Sequence, residues 1–199
     1  MTQLDPSRIA RKKAEKHTRL LEAALALFAE RGFHGTAVPL VAERAGVSAG
    51  SVYRFFESKE ALVNEVFRDA KTRLGAALED IQLDADPRRS FDDLWGRLVR
   101  FAREEPTAFR FLELQDHAPY LDAESKALEM QVLAPIAAAC SELQRRGTFR
   151  SDVPLDVVLA CIWGAFVGLF KAELHGYLSL DAARIAQARD ACFNAFAAR

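Results

Sequence analysis

The chain has 199 residues, half of them hydrophobic, which is enough for one sizeable core or two small helical domains and excludes a disordered chain. Its formal net charge is only −1, so nucleic-acid binding cannot rest on overall basicity and must come from local placement of charge. Residues 1–70 hold 11 Lys/Arg against 9 Asp/Glu, whereas residues 71–199 hold 16 against 19.

The first predicted helix runs from about Ser7 to Glu30 and stops at Gly32, with Leu20, Ala24, Leu27 and Phe28 on its apolar face. No apolar stretch precedes Leu20, so no secretion signal is predicted. The start of this helix is basic: Arg8, Arg11, Lys12, Lys13, Lys16 and Arg19 stand against a single acid, Glu15. In isolation such a cluster is an ordinary solvated helix start. Beside a DNA-reading element it neutralises phosphates or enters the adjacent minor groove.

Thr36 is placed to cap the second helix, and Pro39 falls in its first turn, where no N–H is needed. Val38, Val41, Ala42 and Ala45 recur at helical spacing before Gly46 ends the helix and Val47 plugs the corner. Ser48 restarts it, its hydroxyl expected to accept from a backbone N–H one turn on, and Val52 and Phe56 face inward at i, i+4. Ala49, Gly50, Ser51, Tyr53 and Arg54 are left on the outer face. These are small or hydrogen-bonding side chains, suited to close approach to phosphates and base edges. The pattern is a helix-turn-helix, with a plain αα-corner as the other reading.

Ser58 caps a fourth helix that continues through Leu62, Val66 and Leu74 towards Leu83, long enough to connect two domains. Asp84-Ala85-Asp86-Pro87 breaks the pattern, Ser90 restarts it towards Arg103, and Pro106 and Pro119 mark further breaks. Helices are predicted at about 107–117, 122–146, 154–177 and 181–197, with Gly147 and Gly176 as stops. Nine helices and no strand alternation make the predicted fold all-α. The uncharged run from Val157 to Phe170, 14 residues, is shorter than the roughly 20 that span a bilayer, so a buried or interface helix is expected, without a membrane. Cys140, Cys161 and Cys192 stand far apart with no CxxC pair, which points to reduced cytoplasmic thiols and to neither a metal site nor a disulfide framework.

The segments LLEAALALFAERGFHGT, AERAGVSAGSVYRFF and ESKEALVNEVF, from Leu20 to about Phe67, closely resemble the amino-terminal domain of the TetR (tetracycline-repressor) family of transcriptional regulators. The resemblance implies a three-helix DNA-binding head over residues 1–57 and a six-helix effector-binding and dimerisation body over 58–199. It implies a regulator rather than an enzyme, needing no cofactor: a repressor released from its operator by a small-molecule effector. Position by position, Thr36, Ser48, Gly50, Ser51, Tyr53, Arg54 and Lys59 match the family's DNA-facing pattern, with Arg8, Arg11 and Lys12 as a basic arm. Ala49 stands where many relatives carry lysine, and Phe55 where they carry histidine or tyrosine, so Phe55 is expected to stack or pack.

For the effector site the candidates are Trp95, Phe109, Leu114, Trp163, Phe166 and Phe170, with His117 as the preferred polar anchor; plain core is the other reading of such a stripe. Gly164 and Gly168 open a smooth strip for a second helix, and Phe193 offers bulk, so the last two helices are the expected homodimer surface. The expected partners are a pseudo-palindromic double-stranded operator and a small apolar or amphipathic effector. The alternatives are an activator, or a helical small-molecule-binding protein or enzyme that keeps the head as scaffold. No Glu-x-x-His pair, glycine-rich phosphate loop or nucleophile constellation speaks for an enzyme.

Overall fold

Prolines begin helices in this chain more often than they break them. The computed structural model describes residues 6–79, 81 and 84–198, and among these it holds nine α-helices. They are α1 (Pro6–Arg31), α2 (Val38–Arg44), α3 (Ala49–Val52), α4 (Lys59–Ala77), α5 (Pro87–Glu104), α6 (Pro106–Leu114), α7 (Ala123–Arg145), α8 (Leu155–Leu174) and α9 (Ala182–Phe196). Leu83, towards which the fourth helix was expected to run, lies outside the described residues. The fifth helix starts at Pro87 rather than Ser90, because the Asp86 carboxylate accepts from the Arg88 N–H at 2.9 Å and a proline in the first turn needs no donor. The Ser90 hydroxyl instead accepts from the Asp84 N–H at 2.8 Å. Pro106 likewise stands in the first turn of α6, though without a side-chain cap, whereas Pro135 sits inside α7, on its exposed side.

The chain divides into two compact units, each with its own core. The first takes in the chain up to Thr72 together with Glu105–Leu128, and the second takes in Arg73–Glu104 and the chain from Glu129 onward. The predicted head, 1–57, falls inside the first unit, whose boundaries run through α4 and α7. In that unit α1 packs on both α2 and α6. Leu20, Ala24, Leu27 and Phe28 of α1 are buried together with Val41, Val52, Phe56, Phe67 and Phe111. The Phe28 ring lies 6.2 Å from both Phe33 and Phe111.

In the second unit α9 packs on α5 and α8. Arg88 of α5 bonds Asp92 at 2.8 Å and also Asp190 of α9, with its guanidinium 4.9 Å over the Phe193 ring. Arg103 holds Glu173 of α8 at 2.6 Å and keeps that carboxyl below its ordinary range. A single bridge pairs Phe149 with Ala197.

Helix α8 is longer than the uncharged run within it, and by length and composition its 20 residues meet the requirement for crossing a bilayer. Length therefore does not set it apart from a spanning helix; its packing does. Val158, Ile162, Phe166 and Phe170 form a buried stripe at every fourth position, and Glu173 is ion-paired.

Because Phe28 is 1% exposed and lies between rings of two other elements, Phe28→Ala is expected to cost about 3–5 kcal/mol in chemical denaturation.

Candidate nucleic-acid interface

The corner between α2 and α3 is set by backbone chemistry. Gly46 adopts φ +65°, a left-handed conformation that a side chain rarely takes, and the Val47 N–H donates to the Ala42 carbonyl at 2.9 Å. Gly35 is fixed for a different reason: a Cβ there would lie 2.3 Å from the Arg31 carbonyl oxygen. Helix α3 is only four residues long and loosens into turns over residues 53–55, held by the Phe55 N–H and Phe56 N–H donating to the Val52 carbonyl at 2.9 and 3.0 Å. Val52 and Phe56 are buried, which turns Ala49, Gly50, Tyr53 and Arg54 outward. Tyr53 is 56% exposed, and nothing lies within 4 Å of where a Gly50 Cβ would stand.

Two expected roles at this corner come out differently. The Thr36 hydroxyl caps nothing: the N-cap of α2 is Ala37, and Thr36, 1% exposed, donates to the Leu27 and Gly32 carbonyls at 3.1 and 2.9 Å. It closes the end of α1 and is withdrawn from the surface a phosphate would reach. Ser48 is the N-cap of α3 by conformation, yet its hydroxyl pairs with the Ser51 hydroxyl at 2.9 Å and bonds no backbone N–H. Ser58 behaves as expected, accepting from the Ala61 N–H at 3.0 Å.

The basic start of α1 joins this surface through one face. Lys12, Lys13 and Lys16 of α1 line a groove of about 360 Å³ with Ser51, Arg54 and Phe55, and the Lys16 ammonium donates to the Ser51 hydroxyl at 3.2 Å. Lys13 and Lys16 belong to the basic cluster but were not singled out; their i, i+4 spacing from Ile9 and Lys12 respectively was the signal available. Arg8 and Arg11 do not line the groove, and Arg11 pairs with Glu15 at 3.4 Å. Four cations around one groove make a place for a phosphate oxygen.

Phe55 packs as its chemistry demands. Its ring lies 5.7 Å from His17, which also stacks on Phe56 at 5.4 Å and whose Nε2 lies 2.7 Å from the Glu65 carboxylate. His17, which sequence reasoning passed over, thus links α1, the turn after α3, and α4. Lys59 rests its ammonium 4.1 Å over the Phe33 ring, which stacks on Tyr120 at 4.4 Å.

That stack belongs to a bonded segment after α6. His117 bonds the Tyr120 hydroxyl through Nδ1 and the Phe111 carbonyl through Nε2, both at 2.7 Å. Burial, with the Asp116 charge second, pushes the Tyr120 phenol up to about 12. Asn64 of α4 donates to the Tyr120 carbonyl at 2.8 Å and accepts from the Asp122 N–H at 2.9 Å. Phe109, Leu114 and His117 thus lie in the first unit with the corner.

The second unit holds a different kind of site. Residues of α5, α7 and α8, among them Leu94, Leu98, Met130, Ile136, Cys140 and Trp163, line a cavity of about 510 Å³. Of the residues expected at an effector site, Trp163 lines it, whereas Trp95, Phe166 and Phe170 are buried in the packing around it. The Trp95 ring lies 6.0 Å from Phe91 and 5.4 Å from Phe166, and its buried N–H meets no acceptor among the described residues. On the other side of α8, Cys161, Gly164, Ala165 and Gly168 are exposed, and nothing lies within 4 Å of a Cβ built on either glycine. No residue of α9 is fully buried, Phe193 included. Among the described residues no group of three His, Cys, Asp or Glu is placed to hold a metal ion.

A glycine-cornered helix pair with an exposed, hydrogen-bonding outer face and a flanking cationic groove defines a helix-turn-helix DNA-binding protein. The description "Bacterial regulatory proteins, tetR family" matches residues 20–66, and "Tetracyclin repressor-like, C-terminal domain" matches residues 67–198. The chain belongs to the TetR family of helix-turn-helix transcriptional regulators, which are not enzymes. It is 42% identical over 161 residues to the HTH-type transcriptional repressor KstR2 of Mycobacterium tuberculosis, covering 76% of this chain and 78% of the relative. Its fold is similar to that of a TetR family transcription regulator from Marinobacter aquaeolei, with a TM-score of 0.82 at 25% identity, covering 96% of this chain and all of the other. It is also similar to FadR from Bacillus subtilis, solved in complex with stearoyl-CoA, with a TM-score of 0.66 at 16% identity over 89% of this chain and 96% of that one.

Thr36→Val is expected to lower stability by about 1–3 kcal/mol in thermal melting, through the lost donor to two carbonyls, while the folded protein keeps its affinity for DNA. Lys12→Ala with Lys13→Ala is expected to flatten the dependence of log K on log salt by about 0.9 per phosphate contact removed, read by titrating duplex DNA at several salt concentrations.

Proposed function

We propose that this protein is a homodimeric, effector-controlled repressor acting on cytoplasmic DNA, in which the corner around Gly46 reads one half of a pseudo-palindromic operator. The observation that carries this reading is the combination, on one unit, of the exposed α3 face with the groove lined by Lys12, Lys13, Lys16 and Arg54. Ala49, Gly50, Ser51, Tyr53 and Arg54 approach the base edges and the adjoining backbone; Ser48 holds Ser51, and Lys59 reaches a phosphate once it leaves the Phe33 ring. Arg8 and Arg11 add sequence-independent attraction.

Repression is supported by the names of similar proteins, KstR2 among them. Dimerisation is supported by the small-residue face of α8 beside an α9 none of whose residues is fully buried. Two heads then read half-sites about 34–36 Å apart or a multiple of it. The effector site is the cavity lined by Trp163 and Cys140, and FadR, crystallised with stearoyl-CoA, is an instance of a small molecule held by a similar fold. An effector weakens operator binding by as much as it prefers the arrangement in which the heads do not fit the half-sites, and DNA weakens effector binding by the same factor.

Footprinting of the protein on its own promoter region tests the reading. A protected pseudo-palindrome overlapping the promoter is the expected result; protection only upstream, with raised transcription, would establish an activator instead. Gly164→Leu is expected to give a folded monomer whose operator affinity falls at least about 100-fold, measured by sedimentation and gel shift, because the two heads no longer bind as a pair.

A further inference from the structure

The cavity between α5, α7 and α8 has a chemical bias that reaches beyond its being apolar. Its lining draws Leu94 and Leu98 from α5, Met130 and Cys140 from α7, and Ile162 and Trp163 from α8, with leucine, isoleucine, alanine and phenylalanine making up the rest. Among the described residues, no charged side chain and no carbonyl- or hydroxyl-bearing side chain lines it. The side-chain heteroatoms of the lining are the Met130 and Cys140 sulfurs and the Trp163 indole nitrogen. A ligand whose polar group is uncharged can be accommodated by such a wall, since it brings no charge that must be stripped of water. A carboxylate or phosphate drawn inside such a wall loses its water and gains no counter-charge. Burial pushes the Cys140 thiol up to about 11, so this wall supplies neither a thiolate nor a nucleophile at neutral pH.

We infer that this cavity selects an uncharged, hydrocarbon-rich molecule of at most roughly 17 non-hydrogen atoms, taking about 30 Å³ for each, and discriminates against carboxylates, phosphates and coenzyme A thioesters of the same skeleton. The inference rests on the reading of this cavity as the effector site and names what it takes. It separates this chain from the acyl-CoA chemistry seen in the FadR complex, whose fold is similar but whose sequence is only 16% identical. Met130, 69% exposed, stands at the cavity with an unbranched, adaptable side chain, which suits an entrance that accepts varied apolar shapes better than a charged headgroup.

The test uses the full chain and four probes of one skeleton: methyl decanoate, 1-decanol, decanoate and decanoyl-CoA. Trp163 lines the cavity and is one of only two tryptophans, so intrinsic fluorescence reports entry directly, with calorimetry as the second measurement. The ester and the alcohol are expected to bind at least about 100-fold more tightly than decanoate or decanoyl-CoA at neutral pH. Ala134→Lys, which puts a cation on an exposed part of the lining, is expected to bring decanoate to within about tenfold of the ester. Decanoate or decanoyl-CoA binding the unaltered protein as tightly as the ester would overturn the inference, and so would a cavity that takes none of the four. Footprinting with the same probes keeps the two readings apart. An ester that binds with the expected preference but leaves operator affinity unchanged supports the ligand class and removes the effector role; decanoate that binds preferentially and releases DNA does the reverse.

Discussion

The burial of one face of α1 is the constraint on which the first unit depends. Leu20, Ala24, Leu27 and Phe28 occupy a single stripe, and that stripe is covered from two directions, by α2 of the corner and by α6. A short α3 of four residues has little stability of its own, since most of its backbone bonds are end bonds. Its orientation is therefore borrowed from Val52 and Phe56, which are buried in the core that α1 organises. His17 and Lys16, one turn before that stripe, extend the same control outward, one by stacking on Phe55 and Phe56 and the other by bonding Ser51. The DNA-facing surface is rigid because a long helix lies behind it.

The same stripe ties the head to a distant part of the chain. Phe28 meets Phe111, the Phe111 carbonyl is bonded by His117, and His117 bonds Tyr120, which stacks on the Phe33 that carries Lys59. Asn64 and Arg68 then fix the segment to α4, the latter through Asp122 at 3.1 Å. No buried side-chain polar atom in this sequence of contacts lacks a partner, which is what a buried polar network needs if it is to specify one arrangement. Lys59 thus lies two contacts away from the segment that joins α6 to α7.

The second unit separates its two apolar tasks by side-chain size. Large residues of α8 turn inward, where Phe166 and Phe170 pack at a ring separation of 5.0 Å, and small ones turn outward at Gly164 and Gly168. Trp163 falls between them and lines the cavity. Ion pairs such as Arg103 with Glu173 and Arg88 with Asp92 stay at the periphery, where solvation keeps their cost low, so the cavity wall is left without charge.

What the sequence by itself determined was whatever depends on neighbours along the chain. The nine helices, the corner at Gly46, the inward Val52 and Phe56, the Ser58 cap and the basic start of α1 all follow from spacings of one to seven residues, where helical geometry leaves little choice. Pro87 was the local exception, because a proline that ends one pattern and begins another looks the same in sequence until the Asp86 cap is seen. What only the tertiary structure decided was the partner of each polar or aromatic side chain. Thr36 bonds the end of α1 instead of capping α2, Ser48 bonds Ser51 across one turn of α3, and His117 spends both ring nitrogens inside the first unit. Phe109 and Leu114 carry the same apolar signal as Trp163, yet only Trp163 faces the cavity. Burial drives polar groups to satisfy themselves with whatever the fold brings near, which for Asn64 and Lys16 lies 56 and 35 residues away along the chain.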